Sequence, residues 1–188
     1  ENVVRDMKHG GCTGTFVGIE SGNNEILKKI KKTQTTDECV LAMRNLQKHG
    51  IESHAFIMVG FPSETEETFK ETIDFIPKLK PDSVIFSIFT PYPGSDIYEE
   101  CKKEGIIDGE FNLALYNHQS PVNCFTKNIP RERFYELRNK AMKFVDSYNK
   151  KAKLRRVIGS LRNIGIKATW KKIYSHFYSK IVRYTNAA

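Results

Sequence analysis

Three short apolar runs, each closed by a turn and followed by a segment of helical period, limit what this chain can fold into. Thr15 to Ile19 is β-branched or aromatic apart from Gly18, Ser53 to Val59 reads SHAFIMV, and Ser83 to Phe89 reads SVIFSIF. Runs of that length and composition are strands, and their near-continuous apolarity places them inside a sheet covered on its faces. After the first run, Asn23 to Ile30 has helical spacing through Ile26, Leu27 and Ile30. A second helix there is capped at Thr35, has acids in its first turn, and stops at His49 and Gly50. After the second run, SETEETFKETIDFIPKL begins with a cap at Ser63 or Thr65 and sets Phe69, Ile73 and Ile76 on one face. After the third comes TPYPGS and a helix from Asp96 to Lys103, while Asn2 to His9 forms a helix ahead of them all. Three successive βα units predict an α/β fold with a parallel sheet and helical crossovers, either doubly wound or part of a (β/α) barrel.

Both architectures put their chemistry beyond the carboxyl ends of the strands. Those ends carry the unusual residues. The first closes on Glu20, Ser21 and Gly22, the second on Gly60, Phe61, Pro62, Ser63 and Glu64, and the third on Thr90, Pro91, Tyr92, Pro93, Gly94 and Ser95. A carboxylate at the end of a core strand is costly unless something polar meets it. Each group also has a plain reading as a helix cap or turn, and Glu64 reads as a cap for the helix that follows it.

Composition narrows the class. With 39% hydrophobic and 28% charged residues the 188-residue chain is globular and soluble in pattern, and no apolar run approaches the roughly 18 residues of a membrane span. The beginning, ENVVRDMKHGGC, has neither an initiator Met nor a signal-peptide plan, so the expected setting is cytoplasmic. Cys12, Cys39, Cys101 and Cys124 contain no C-x2-C clasp and read as thiols in a reducing compartment. Charge divides the chain: residues 1–126 carry 13 Lys and Arg against 19 Asp and Glu, and residues 127–188 carry 17 against 3.

The series VGIESGNNEILKKIKK, FIMVGFPSETEETFKETIDF and PDSVIFSIFTPYPGSDIYEE resembles the second half of the radical S-adenosylmethionine (radical SAM) enzyme core. The similarity is closest to the branch whose members carry an upstream cobalamin-binding domain. It covers about Val3 to Glu104 and implies three carboxyl-terminal βα units of a barrel. By resemblance, Glu20 and Ser21 help hold the ribose and amino acid part of S-adenosylmethionine, and Lys32 pairs with its carboxylate. Ile57, Gly60 and Pro62 belong to the strand end that packs on adenine. Phe89, Thr90 and Pro91 offer backbone groups to the adenine amine. Tyr92 and His118 fall on the substrate side, each with an ordinary packing or surface role as the alternative.

The resemblance also implies a four-iron four-sulfur cluster held by C-x3-C-x2-C, which cleaves S-adenosylmethionine to a 5′-deoxyadenosyl radical. That loop has no counterpart in this sequence, nor has a cobalamin-binding region. The expectation is therefore the carboxyl-terminal part of such an enzyme, inactive alone. It contributes cofactor and substrate contacts, with two open sheet edges facing a missing amino-terminal half and with cobalamin-dependent methylation among its reactions. The parts are residues 1–110 as the partial barrel, 111–152 as a connection and packing helix, and 153–188 as a basic amphipathic helical tail. Pro130 opens the packing helix, whose stripe is Phe134, Leu137, Ala141, Phe144 and Val145. The tail has one apolar segment through Leu154, Val157, Ile158 and Leu161 and another through Trp170, Ile173, Phe177, Ile181 and Tyr184. Its partner is the protein's own core, an anionic membrane surface or RNA, the last two making a binding module the alternative to an enzyme part. The substrate, a small molecule or a lipid, is not written in these residues.

Overall fold

The three apolar runs form one parallel sheet, β1 (Gly14–Glu20), β2 (Glu52–Val59) and β3 (Ser83–Ile88), in that spatial order. In this computed structural model residues 1–107, 117, 120 and 122–185 are described, with side chains as far as residue 159 and at 161. Around the sheet lie α1 (Asn2–His9), α2 (Asn24–Lys29), α3 (Thr36–Lys48), α4 (Glu66–Leu79), α5 (Asp96–Lys103) and α6 (Arg131–Thr185). Residues Glu1–Asn149 make one unit and Lys150–Ala188 a second.

Local chemistry fixes the crossovers. The Asn23 Oδ1 accepts the Ile26 N–H at 3.0 Å and starts α2. Thr35 and Glu38 form a reciprocal capping box for α3, with the Thr35 N–H donating to Glu38 Oε2 at 2.7 Å. Thr65 and Thr68 do the same for α4. Two of the four orphan N–H groups at each of those two starts are thus satisfied by side chains, which sets where the chain stops being loop.

Pairing is in register along β2 and β3, from His54 opposite Ser83 to Val59 opposite Ile88. Alternation then assigns the faces. Ile19, Ser53, Ala55, Ile57, Val59, Val84 and Ile88 are buried. The opposite face is partly open, with Phe16 62% and Phe56 37% exposed and the Phe16 ring 4.8 Å from His54 and 5.6 Å from Phe56. A strand covered on both faces was expected; one face is covered here.

The start of α6 closes the core. Phe134 is fully buried with Val59, Phe69, Ile88, Ile129 and Ala141, and its ring meets Phe69 edge to face at 6.2 Å. Of the expected stripe, Phe134, Ala141 and Val145 are buried and Phe144 is exposed. Arg133 grips Glu66 through Nε at 3.0 Å and Nη2 at 2.7 Å, tying the first turn of α6 to that of α4. Helical backbone continues through α6 to Thr185, where the sequence suggested separate segments. Gly159 and Gly165 stand alone in that stretch, and about 1 kcal/mol each is too little to stop a long helix.

Two open edges were also expected. One of them is covered in part: the Asn149 Oδ1 accepts the Val84 N–H at 2.8 Å, and its Nδ2 donates to the Val84 carbonyl at 2.9 Å. The side-chain amide stands where a further strand's peptide would be.

Phe134→Ala should lower stability by about 3–5 kcal/mol, the usual cost of emptying an aromatic core site. Urea unfolding of the variant beside the parent chain measures it.

Candidate functional site

The strand ends meet in a cavity of about 410 Å³. Its lining comes from three βα units: Glu20 at the end of β1, Met58 and Phe61 at the end of β2, Phe89 after β3, Lys29 at the end of α2 with residues 30–32 beyond it, and Asp96, Ile97 and Glu100 of α5. That convergence of charged and apolar groups at the carboxyl ends of parallel strands is the ordinary location of a ligand site in this class of sheet.

Glu20 reaches the cavity through a local irregularity. Register slips between Gly18 and Glu20, so that β1 carries a bulge opposite β2, and Glu20 has φ of 66°. A non-glycine residue held there costs on the order of 1–3 kcal/mol and persists only where neighbours enforce it. The neighbours are visible. Lys32 Nζ lies 3.2 Å from Glu20 Oε1, and Gln34 Nε2 donates to the Gly18 carbonyl at 2.7 Å. A Cβ on Gly18 would sit 2.7 Å from Glu20 Oε1 and 3.5 Å from Lys32 Nζ, so the missing methyl is the space into which the carboxylate folds back. The stretch after α2 is itself bent, with Lys31 at φ 59° and its Nζ 2.6 Å from Asp96 Oδ2 across the cavity rim. That contact raises the Lys31 pKa and lowers that of Asp96, both through their mutual hydrogen bond and charge.

The end of β2 is organised by a buried acid. Glu64 is fully buried, its Oε2 accepts the Gly60 N–H, and its Oε1 has no hydrogen-bond partner. Burial pushes its pKa up to about 8, against the smaller opposing effect of the Gly60 N–H. Glu64 was expected to cap the next helix; Thr65 holds that place, and Glu64 instead fastens the strand end behind the rim. Gly60 has φ of 91°, and a Cβ on it would be 2.9 Å from Phe134 Cζ, so the glycine yields to a ring of α6.

Of the residues singled out in the sequence, Glu20, Lys32 and Phe89 line the cavity together. Ser21 does not. It is fully buried, shares a hydrogen bond of 3.0 Å with Thr72 Oγ1 and accepts the Asn23 N–H, so it locks the loop to α4. Ile57 lies on the helix-covered face, and its neighbour Met58 faces the cavity. Pro62 is half-buried and its carbonyl accepts the Lys127 N–H at 3.1 Å. Thr90 is buried, its Oγ1 donating to the Ile88 carbonyl at 3.3 Å and accepting from Asn123 Nδ2 at 3.2 Å. Pro91 is buried beside it, and Tyr92 is exposed with its carbonyl accepting the Ser95 hydroxyl at 2.7 Å. His118, with the neighbouring Tyr116 and Gln119, lies outside the described residues. Sequence reasoning had Phe61 only as part of the second strand end and Met58 only within the Ile57–Gly60 segment, and it missed Ile97 and the Lys31–Asp96 contact. Alternation along β2 was a usable signal for Met58; no local signal joins Lys31 to Asp96.

The cysteines do not form a metal clasp. Cys39 and Cys101 are buried, and burial pushes both thiols up, Cys101 to about 11. A metal or cluster ligand must be a thiolate, which this environment disfavours. Among the described residues no group of three or more His, Cys, Asp and Glu is placed to hold a metal ion.

Known proteins resemble this chain in sequence and, in part, in fold. Residues 1–76 match the model of the Radical SAM superfamily. A protein of Pyrococcus horikoshii named as an uncharacterized methyltransferase is 39% identical over 141 residues, covering 75% of this chain and 30% of that protein. The tRNA-2-methylthio-N(6)-dimethylallyladenosine synthase of Buchnera aphidicola is 31% identical over 170 residues, covering 84% of this chain and 38% of its own length. The bacteriochlorophyllide d C-12(1)-methyltransferase of Chlorobaculum tepidum is 34% identical over 93 residues, 49% of this chain and 20% of the relative. The archaeal Elp3 of Methanocaldococcus infernus, solved with an amino-terminal deletion, superposes with a TM-score of 0.51 at 27% identity, over 55% of this chain and 25% of that one. The chain thus spans between a fifth and two fifths of the length of these curated relatives.

Titration of Glu64 gives a direct check on the site. Its folded pKa lies above the unfolded one, so the folded state holds the extra proton between about pH 4.5 and about pH 8, and stability falls as pH rises through that window. The slope should approach about 1.4 kcal/mol per pH unit. Glu64→Gln should flatten it, as read by urea unfolding at a series of pH values.

Proposed function

The chain belongs to the radical SAM superfamily through the residues that the family model matches, and from that membership we propose that its strand-end cavity is the S-adenosylmethionine-binding side of a radical methyl- or methylthio-transferring enzyme. The observation that carries the reading is the Glu20–Lys32 pair set against an apolar wall of Met58, Phe61 and Phe89. S-adenosylmethionine has the complementary parts: a carboxylate, hydroxyls on a ribose, and a flat adenine. A cavity of about 410 Å³ falls within the range of small-molecule sites.

The chain's own residues divide the work by chemistry. Lys32 supplies a mobile ammonium, suited to a carboxylate as a point charge. Glu20 supplies acceptors for ribose hydroxyls, and the bulge that aims it keeps the carboxylate at the mouth rather than on the solvent side. Phe61 and Phe89, 5.0 Å apart, give the aromatic surface on which a base is buried, and polarizable Met58 adapts to its edge. Lys31 and Asp96 face each other across the rim and narrow the entrance.

S-adenosylmethionine bound beside a reduced four-iron four-sulfur cluster supplies the radical chemistry for which the family is named. Cys39 and Cys101 are buried thiols, and no cysteine stands in a group of three or more possible ligands among the described residues, so in this reading the cluster's ligands lie on residues other than these 188. The partly open sheet face around Phe16 and Phe56 is then the surface that an amino-terminal barrel half covers. Cobalamin stays within the proposal as the second cofactor of the branch that the sequence resembles. Transfer of a methyl or methylthio group is the part of the proposal that the names of the relatives support: two are named as methyltransferases, one of them uncharacterized, and one as a methylthio-adenosine synthase.

Equilibrium dialysis with S-adenosylmethionine tests the site without any need for turnover. The 188-residue chain should bind it, and Lys32→Met should weaken binding about tenfold, the scale of one charge-assisted hydrogen bond. Gly18→Ala should weaken it similarly, because the added methyl displaces the Glu20 carboxylate. Unchanged affinity in both variants would place the ligand elsewhere.

A further inference from the structure

The second unit presents a surface that the cavity does not use. After Asp146 the sequence contains no Asp or Glu to its end, while it carries Lys150, Lys151, Lys153, Arg155, Arg156 and then four further Lys with Arg162 and Arg183. Within that stretch the described helical residues place apolar side chains in solvent: Leu154 is 59% exposed and Ile158 is 41% exposed. They lie four residues apart, one turn, so they share a face. Lys150 and Lys151 lie one turn before Leu154 on the same side, and both are exposed, as is Lys153. Ala152 is buried, which puts the packed side of this segment away from the leucine and isoleucine.

We propose that this helical face, residues 150–161, docks the protein on an anionic lipid surface. An exposed aliphatic pair ringed by lysines matches the layered chemistry of a bilayer boundary, where acyl chains accept the Leu154 and Ile158 side chains and lipid phosphates accept the ammonium groups. The long stems of Lys150 and Lys151 reach outward from an apolar patch to the headgroup level. Nucleic acid also attracts cations, but it offers no apolar layer to two exposed aliphatic groups. A second copy of the same segment is disfavoured, because it brings the same cations and no acid to meet them. No helix among the described residues is long and apolar enough to cross a membrane, so the contact lies along the surface. The inference is independent of the cofactor reading, since it rests on a different unit and different residues.

Sedimentation of the 188-residue chain with phosphatidylcholine vesicles, with and without phosphatidylglycerol, tests it. The chain should pellet with the anionic vesicles and bind them at least about tenfold more tightly than the neutral ones, as several cations at about fivefold each require. The double variant Leu154→Ser, Ile158→Ser should lose about tenfold in binding to anionic vesicles. Lys150→Gln with Lys151→Gln should lose about twenty-fivefold. Both pairs are exposed, and unchanged circular dichroism would confirm that folding is kept. Equal binding to neutral and anionic vesicles overturns the proposal, as does wild-type binding by the Leu154, Ile158 variant. Absence of pelleting alongside tight, salt-sensitive binding of an RNA hairpin also overturns it, in favour of nucleic acid.

Discussion

One buried contact organises the site end of the sheet: the Glu64 carboxyl holding the Gly60 N–H. Gly60 needs its left-handed backbone to turn out of β2, and the missing Cβ admits the Phe134 ring at the same point. Strand, crossover helix and the long carboxyl-terminal helix therefore converge on one glycine. A charged carboxylate there would face desolvation with a single donor, which is why the acid is held in its neutral form up to about pH 8. With β2 fixed in this way, Met58 and Phe61 stand on the cavity side and Val59 on the core side.

The rim works by the opposite electrostatic logic. Glu20 and Lys32 are partly solvated and paired, and Lys31 and Asp96 are almost wholly in water, so none of them bears the desolvation that Glu64 does. Such pairs add little to folding. They present separated charges at a mouth whose walls are aromatic, which under the proposed function suits a ligand with both a polar end and a flat apolar one. The strained Glu20 backbone sets where that charge stands: a relaxed β1 would have continued its pleat and turned the carboxylate to another face.

Much of this was legible in the sequence because it is local. The three strands, the cap at Thr35, a further cap at Ser63 or Thr65, and the position of Glu20 at a strand end follow from periodicity and from side chains that reach three residues. The parallel α/β architecture followed from the order of those parts. What escaped was set by distance along the chain. Ser21 looked like a ligand-binding hydroxyl until Thr72, 51 residues away, took it up. Glu64 looked like a helix cap because its burial depends on Gly60 and on the packing beyond it. Asp96 joined the rim only because α5 returns to α2, a pairing with no mark in either segment.

The amide of Asn149 beside Val84 gives the sheet a direction. A side chain that imitates one peptide unit is a terminator: it takes the donor and acceptor that a newcomer would recruit, yet has no successor of its own to pass them on. At the Val84 rung of β3 a newcomer finds its donor and acceptor already taken, whereas among the described residues the border formed by β1 has no such stand-in.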